Sequence, residues 1–220
     1  VVAEMRQLGE VVGVAPAREQ SGVGTAVTFH QPLRFKEVSP LISGVPTYSI
    51  EGTPADSVIL ALRYLFPDQV DLVISGINEG ANLGSDAYIS GTVGAALQGF
   101  LCGLPSLAVS VGSWKDPLFA PAAQMTKLLV EKTLGTDGTG GGLPQPVLLN
   151  VNLPNLPLER IKGIEITRLS FRKSADTIHE GYDGKRRYYW IVHQKPALEA
   201  EPGTDRWALK QDYVSITPFL

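Results

Sequence analysis

The chain has 220 residues, of which 44% are hydrophobic and 19% are charged, and its formal net charge is −3. A chain of this length and composition can bury a core and is typical of a globular protein. The acidic balance argues against a nucleic-acid duplex as the main partner, because a phosphate backbone is normally bound by a basic patch. No apolar run approaches the ~20 residues of a membrane span, so we expect no membrane partner.

Cysteine usage points to the cellular setting. Cys102 is the single cysteine, which excludes a disulfide framework within the chain and indicates a reducing, cytoplasmic location. In its apolar context GFLCGLP we expect a buried core thiol, and we regard a nucleophilic role as the less favoured alternative.

The first 50 residues predict short elements. Residues 1–8 carry apolar side chains at helical spacing, and residues 10–16 and 48–50 have the character of strands. Alternating polar and apolar residues from about 26 to 38 predict solvent-facing strands.

A helix start follows at Thr53. Thr53 can act as an N-cap, Pro54 occupies the first turn, and Asp56 stands three residues after the cap. This arrangement predicts a helix running to about residue 66.

From residue 71 to 154, strands and helices alternate. Buried strands are predicted over 71–76, 106–112 and 147–154, and helices over 91–103 and 117–134. This alternation predicts an α/β fold with a mainly parallel sheet.

The character of the chain changes after residue 154. Residues 155–220 contain strand-like segments separated by polar turns. We therefore expect two parts, an α/β core over 1–154 and a β-rich C-terminal extension over 155–220.

Three polar, glycine-rich loops lie where ligands of open α/β sheets bind, beyond the carboxyl ends of parallel strands. They are REQSGVG at 18–24, SGINEGANLG at 75–84, and the segment from Ser90 to Thr92. Ser90, Gly91 and Thr92 open a helix, and a helix N-terminus with hydroxyls favours a bound phosphate. As a plain helix cap they need no ligand, and REQSGVG is either a second phosphate cradle or a turn.

Asn78 and Asn82 offer neutral oxygen donors in the second loop. Such donors suit hard cations such as Mg²⁺ or Mn²⁺, which normally also need a carboxylate. Glu79 and Asp86 are candidates for that carboxylate, although either could simply face water. By itself this loop predicts half of a metal site.

Several segments taken together resemble one known family. They are APAREQSGVG, EGTPADSV, SGINEGANLG, ISGTVGAA, LPSLAVS, NVNLP and EPGTD with YVSITP. In this order they resemble the survival protein E (SurE) family, whose members are metal-dependent phosphatases acting on nucleoside monophosphates. The resemblance spans nearly the whole chain.

The resemblance implies a Rossmann-like three-layer sandwich with a C-terminal β-hairpin used for oligomerisation, giving homodimers or homotetramers. It implies one divalent cation per subunit, Mg or Mn, with Ser21 and Asn78 among its ligands. It also implies that Asn82, Ser90, Gly91 and Thr92 contact the phosphate.

The family's N-D-D-G loop, which carries its adjacent aspartates, would lie before Val1. We therefore assign no catalytic residue within the given sequence, and expect it to lack the first strand and the C-terminal tail.

The implied function is a metal-dependent phosphomonoesterase that hydrolyses nucleoside 5'- and 3'-monophosphates. The alternative is a non-catalytic nucleotide- or phosphate-binding oligomeric module, which would follow if the natural chain had no aspartate pair. A purely structural oligomer is a third reading, disfavoured by three polar glycine-rich loops at strand ends.

Overall fold

A computed structural model describes residues 1–40, 42–136, 138, 141–143, 146–171, 177–192 and 200–219. The elements before residue 90 are α1 Val2–Met5, β1 Gly13–Pro16, β2 Phe35–Glu37, β3 Thr47–Ile50, α2 Pro54–Leu60, β4 Val73–Glu79 and α3 Asp86–Ile89. Those that follow are α4 Gly91–Leu101, β5 Ser106–Val111, α5 Phe119–Leu134, β6 Leu148–Leu153, β7 Ile164–Ile166, β8 Thr177–Tyr182, β9 Arg187–Val192, α6 Asp205–Lys210 and β10 Val214–Pro218. A π-helical turn, Ala61–Leu65, extends α2, and a 3₁₀ turn, Leu158–Arg160, precedes β7.

The described residues form sheets of five, three and two strands. The central sheet has the order β4-β5-β6-β10-β7, the small sheet has the order β1-β3-β2, and β8 pairs with β9 in a hairpin. β4, β5 and β6 run parallel, and β10 is antiparallel to β6 but parallel to β7. The fold is thus the α/β class expected from the sequence, with a C-terminal antiparallel hairpin.

Helices cover both faces of the central sheet. On one face α5 buries Ala122, Leu129 and Val130 against alternate residues of β5, β6 and β10. On the other face α4 packs Val93 and Ala96 against the intervening strand residues. The alternation of side chains along each strand therefore builds a three-layer sandwich.

The cap at Thr53 forms as the sequence predicts. The Thr53 hydroxyl accepts the Asp56 amide at 3.0 Å, and the Asp56 carboxylate accepts the Thr53 amide at 2.8 Å. This capping box satisfies two backbone donors that the first helical turn leaves unpaired.

The predicted strand over residues 26–38 is wrong for most of its length. Only Phe35–Glu37 is a strand, and an irregular loop precedes it. The physical reason is a long-range contact, since the Thr28 amide and hydroxyl both donate to Asp56, at 2.9 and 2.6 Å. These bonds replace those of a strand ladder.

Other local expectations also need correction. The first helix covers only Val2–Met5, and the helices α3 and α6 were not predicted. Cys102 is half-buried, not a core residue, because it is the C-cap at the end of α4.

β4 carries an irregularity that positions the loop after it. Its register against β5 shifts between Ser75 and Asn78, after which Asn78 lies opposite Ser110. At Gly76, φ is +128° and the backbone lies against the carbonyl of Val109, where any Cβ atom would collide. Glycine is therefore required for β4 to deliver Asn78 to the end of the sheet.

Candidate functional site

Asn78, at the end of β4, has its side-chain amide fixed in one orientation. Its Nδ2 donates to the backbone carbonyls of Glu79 and Gly80, at 3.0 and 2.8 Å. The Oδ1 atom therefore faces the other way, toward Thr92, whose hydroxyl donates to it at 3.3 Å. This arrangement presents a neutral carbonyl oxygen at the start of α4.

The segment from Ser90 to Thr92 forms the N-terminus of α4. The Ser90 hydroxyl accepts the Val93 amide at 3.3 Å, so Ser90 serves as the N-cap. The amides of Gly91 and Thr92 have no acceptor within the helix, because a helix leaves its first N–H groups without intrahelical partners. They lie at the positive end of the helix dipole, where an anion is stabilised.

The loop over residues 17–25 reaches the same helix start. The Gly24 amide donates to the carbonyl of Ile89 at 2.9 Å, and Gly94 of α4 lies against the Gly24 carbonyl. A Cβ atom at Gly91 would lie 3.2 Å from the carbonyl oxygen of Gln20. The residue next to Ser21 thus borders Gly91.

Ser21 itself is exposed at the surface of this loop. Its hydroxyl donates to the Glu19 carboxylate at 2.7 Å. The structure therefore joins the N-terminus of α4 to Asn78 by a hydrogen bond and to the neighbour of Ser21 by close packing.

Asn82 lies in the loop between β4 and α3, residues 80–85, which we call the Asn82 loop. Its amide donates to Asn152 Oδ1 at 2.8 Å, and its carbonyl accepts from Asn150 Nδ2 and Asn152 Nδ2, at 2.9 and 3.2 Å. Its side-chain Nδ2 donates to the Ser110 hydroxyl at 2.7 Å. The strands β5 and β6 thus hold both the backbone and the side chain of this residue.

A row of polar residues crosses the central sheet behind the loop. Asn78, Ser110, Asn152 and Ser215 lie side by side in the strand ladder, and we call them the polar row. Ser110, Asn152 and Ser215 are fully buried, and Thr167 bonds the Ser215 hydroxyl at 2.8 Å. Buried polar groups of this kind are retained where their hydrogen bonds fix a geometry.

Sequence reasoning assigned no role to Ser110, Asn150 or Asn152. The available signal was NVNLP, which puts asparagine at two alternate positions of an otherwise apolar strand. Both asparagines therefore point to one face, and both are buried there. Alternate amides in a buried strand indicate a hydrogen-bonding partner outside that strand.

Asp56 is the buried carboxylate nearest in sequence to these loops. Burial favours its protonated form, but hydrogen bonds from Thr28 and Thr53 outweigh that effect, and the pKa of Asp56 is lowered from its ordinary value. Its partners are the cap of α2 and the loop before β2, so the carboxylate stabilises structure.

The described donors fit only part of a divalent-cation site. Asn78 Oδ1 and Ser21 Oγ are hard, neutral oxygens of the type Mg²⁺ and Mn²⁺ accept. Glu79 is exposed, and within the described residues no three His, Cys, Asp or Glu side chains converge in a way that could hold a metal.

Comparison with known proteins shows which family has this sequence and architecture. The family described as survival protein SurE matches residues 1–176. The chain is 42% identical over 218 residues to the 5'-nucleotidase SurE of Dehalococcoides mccartyi strain BAV1, covering 99% of this chain and 81% of that protein. It is 45% identical over 216 residues to the 5'-nucleotidase SurE 1 of Thermus thermophilus, covering 97% and 82%.

A solved structure agrees with the sequence comparison. The crystal structure of the SurE protein from Aquifex aeolicus matches with a TM-score of 0.81 and 40% identity, covering 99% of this chain and 85% of that one. Among the residues that the structure describes, no helix combines the length and apolar character needed to cross a membrane. From the family match and these relatives together, the chain belongs to the survival protein SurE family.

Proposed function

We propose that this protein is a metal-dependent phosphomonoesterase that hydrolyses nucleoside 5'- and 3'-monophosphates to nucleoside and phosphate. The names of the relatives, 5'-nucleotidase SurE, support the substrate class and the 5' activity. The 3' activity and the dependence on metal rest on the resemblance described from the sequence.

The observation that carries the proposal is the meeting of three polar loops at the N-terminus of α4. Thr92 bonds Asn78 at 3.3 Å, and Gly91 lies against Gln20. A phosphate dianion needs several N–H and O–H donors from different directions, and the positive end of a helix supplies them. A local arrangement of this kind can bind an anion although the net charge of the chain is −3.

In this proposal the chain's own groups bind and orient the phosphoryl group. The amides of Gly91 and Thr92 donate to its non-bridging oxygens and stabilise the charge that develops there during hydrolysis, while the Thr92 hydroxyl donates to Asn78. We assign Asn82 a further contact with the phosphate. Its position is set by the polar row and therefore costs no reorganisation during the reaction.

We propose one divalent cation per subunit, Mg or Mn, with Ser21 and Asn78 among its ligands. Asn78 suits the role because its NH₂ group is held by two carbonyls, leaving the oxygen outward. Such a cation would polarise a phosphoryl oxygen and lower the pKa of a water molecule. We infer that the carboxylates completing the site belong to an Asn-Asp-Asp-Gly loop encoded upstream of Val1.

The test uses the protein translated from its full open reading frame. We expect release of phosphate from 5'-AMP and 3'-AMP with Mg²⁺ or Mn²⁺, abolished by EDTA and restored by added metal. Asn78→Ala should weaken the metal dependence strongly, whereas Thr53→Ala, which removes the cap of α2 and a hydrogen bond to the Ala26 carbonyl, should not. Equal effects of the two changes would contradict the assignment of Asn78.

A second candidate function is nucleotide or phosphate binding without catalysis. It is favoured by the described residues, among which no three His, Cys, Asp or Glu side chains converge to hold a metal. An open reading frame without the Asn-Asp-Asp-Gly loop, together with tight phosphate binding and no turnover, would establish it in place of the enzyme.

We also propose that the protein forms homodimers or homotetramers through the β8–β9 hairpin and the C-terminal extension over residues 155–220. Apolar side chains on this hairpin are strongly exposed, among them Trp190 at 67% and Ile191 at 74%. Patches of this kind mark protein interfaces.

The cytoplasmic location we propose rests on the single cysteine of the chain.

A further inference from the structure

Asp205, the first residue of α6, is fully buried and accepts three backbone hydrogen bonds. Its Oδ2 accepts the Gly84 amide at 2.6 Å, and its Oδ1 accepts the amides of Ser170 and Arg206 at 2.9 and 2.7 Å. Two of these bonds join segments far apart in sequence, since Gly84 and Ser170 lie 121 and 35 residues away. A carboxylate placed in this way fixes the relative position of separate loops.

Gly84 belongs to the Asn82 loop, and its position is tightly defined. Its φ is +56°, and a Cβ atom there would collide with the carbonyl of Ser170. Its carbonyl accepts the Ala87 amide at 3.3 Å, so it begins the first turn of α3. Because α3 leads directly to Ser90, the position of Gly84 influences both Asn82 and the start of α4.

The Asn82 loop is therefore held at two points. Asn150 and Asn152 hold the peptide groups of Asn82, and Asp205 holds Gly84 two residues later. Hydrogen bonds that amides donate to a carboxylate are stronger than the bonds between neutral amides that Asn150 and Asn152 make. Asp205 supplies the only carboxylate of the two anchors.

We propose that Asp205 is a positioning residue for phosphate binding, acting through Gly84 on the Asn82 loop and the N-terminus of α4. This role rests on the proposed function, because it requires that these two segments bind the phosphoryl group. Asp205 touches neither the substrate nor a metal. Its contribution is a loop geometry that exists before substrate arrives, which lowers the cost of binding.

The experiment compares Asp205→Asn with the wild type, both made from the full open reading frame. The single oxygen of asparagine can keep the amides of Ser170 and Arg206, and its NH₂ group then faces the Gly84 amide, donor against donor. We expect KM for 5'-AMP and the inhibition constant of inorganic phosphate to rise roughly tenfold, with kcat changed less. Hydrogen exchange over residues 80–92 should become faster.

Asp56→Asn is the matched control, because Asp56 is also buried and also accepts backbone amides, but at the cap of α2. It should lower the melting temperature without raising KM or accelerating exchange over residues 80–92. An unchanged KM in Asp205→Asn, or an equal rise of KM in both variants, would overturn the positioning role.

Two further outcomes are decisive. If Asp205→Asn does not fold, Asp205→Ser replaces it, because serine fits the space and cannot reach both Gly84 and Ser170. If neither variant folds, Asp205 has a folding role and the proposal is overturned. Absence of phosphate release by the wild type would contradict the proposed function and the positioning role together. An active wild type with no effect at Asp205 contradicts the positioning role alone.

Discussion

Two regions of this molecule reverse the usual distribution of polar and apolar residues, and they do so in opposite directions. At the end of the central sheet, Ser110, Asn150 and Asn152 are fully buried. On the β8–β9 hairpin, Trp190 and Ile191 are largely exposed. Burying amides and exposing indole are both unfavourable for an isolated chain.

The difference between the regions shows what each reversal is for. The NH₂ groups of the buried Asn150 and Asn152 have a partner inside the same chain, because both donate to the carbonyl of Asn82. The exposed apolar side chains of the hairpin leave water only when another surface covers them, as in the oligomer that we propose. The first reversal therefore points to a preorganised site and the second to an interface.

The largest effect should come from breaking the polar row. Asn152→Leu removes the acceptor of the part-buried Asn82 amide at similar side-chain volume, which costs about 1–3 kcal/mol. If this free energy is lost from substrate binding, KM for 5'-AMP rises roughly 5- to 150-fold. Steady-state kinetics measure it.

Thr126→Val is the matched control for a buried polar group outside the site. The Thr126 hydroxyl is fully buried but bonds the Ala122 carbonyl of its own helix, on the other face of the sheet. It should leave KM unchanged. If Asn152→Leu also left KM unchanged, a buried polar group at the site would matter no more for substrate binding than one outside the site.

Charged side chains introduced on the β8–β9 hairpin should change the oligomeric state without changing the fold of the subunit. Ile178 and Ile191 pair across β8 and β9 and are both exposed, so Ile178→Glu with Ile191→Glu places two carboxylates on one patch. We expect the mass measured by light scattering to fall to that of a smaller oligomer or monomer. Leu101→Glu, an exposed apolar residue at the end of α4, should leave the mass unchanged.

A wild type that is already monomeric would contradict the interface. So would a charged hairpin variant whose mass is the same as that of the wild type.

A smaller effect, on stability alone, is expected at Asp56. Because the folded-state pKa lies below the ordinary value of 3.8, the ionised carboxylate contributes stability above that pH, and this is lost as the pH falls through the folded value. Asp56→Asn should therefore melt at lower temperature than the wild type at neutral pH, and the gap should narrow below pH 3.8. Calorimetry at both pH values checks this; a constant gap would contradict it.

The smallest effect should follow from Thr92→Val. The hydroxyl-to-Asn78 distance of 3.3 Å is at the long end for a hydrogen bond, and the backbone amide of residue 92 remains. We expect KM to change by no more than about threefold. A loss as large as that of Asn152→Leu would mean that the Thr92 hydroxyl itself binds the phosphoryl group strongly.

Local signals explain what the sequence could predict. The box formed by Thr53 and Asp56 and the alternating strands and helices from residue 71 depend on residues a few positions apart. The loop glycines and Asn78 could be selected because they follow a buried strand. The family resemblance supplied the proposed roles of Ser21 and Asn82, whereas the start of α4 could be selected as an anion site from its hydroxyls and its place at a helix N-terminus.

Contacts between distant residues explain what the sequence could not predict. The loop before β2 is irregular because Thr28 bonds Asp56 28 residues away. The Gly84 amide donates to Asp205 of α6, which lies 121 residues away in sequence. No local sequence pattern indicates such a partner. Helix α6 has only six residues, and its signals, the Thr204 cap and Asp205, lie in a segment for which the sequence predicts strands separated by polar turns.

The position of β10 sets a condition on the order of folding. This strand is the last along the described chain, yet it lies between β6 and β7, so the central sheet stays open until residues 214–218 have been synthesised. Ser215 closes the polar row at the same moment. Pairings of such long sequence separation form slowly, and the unpaired edge of β6 is exposed to other nascent chains in the interval.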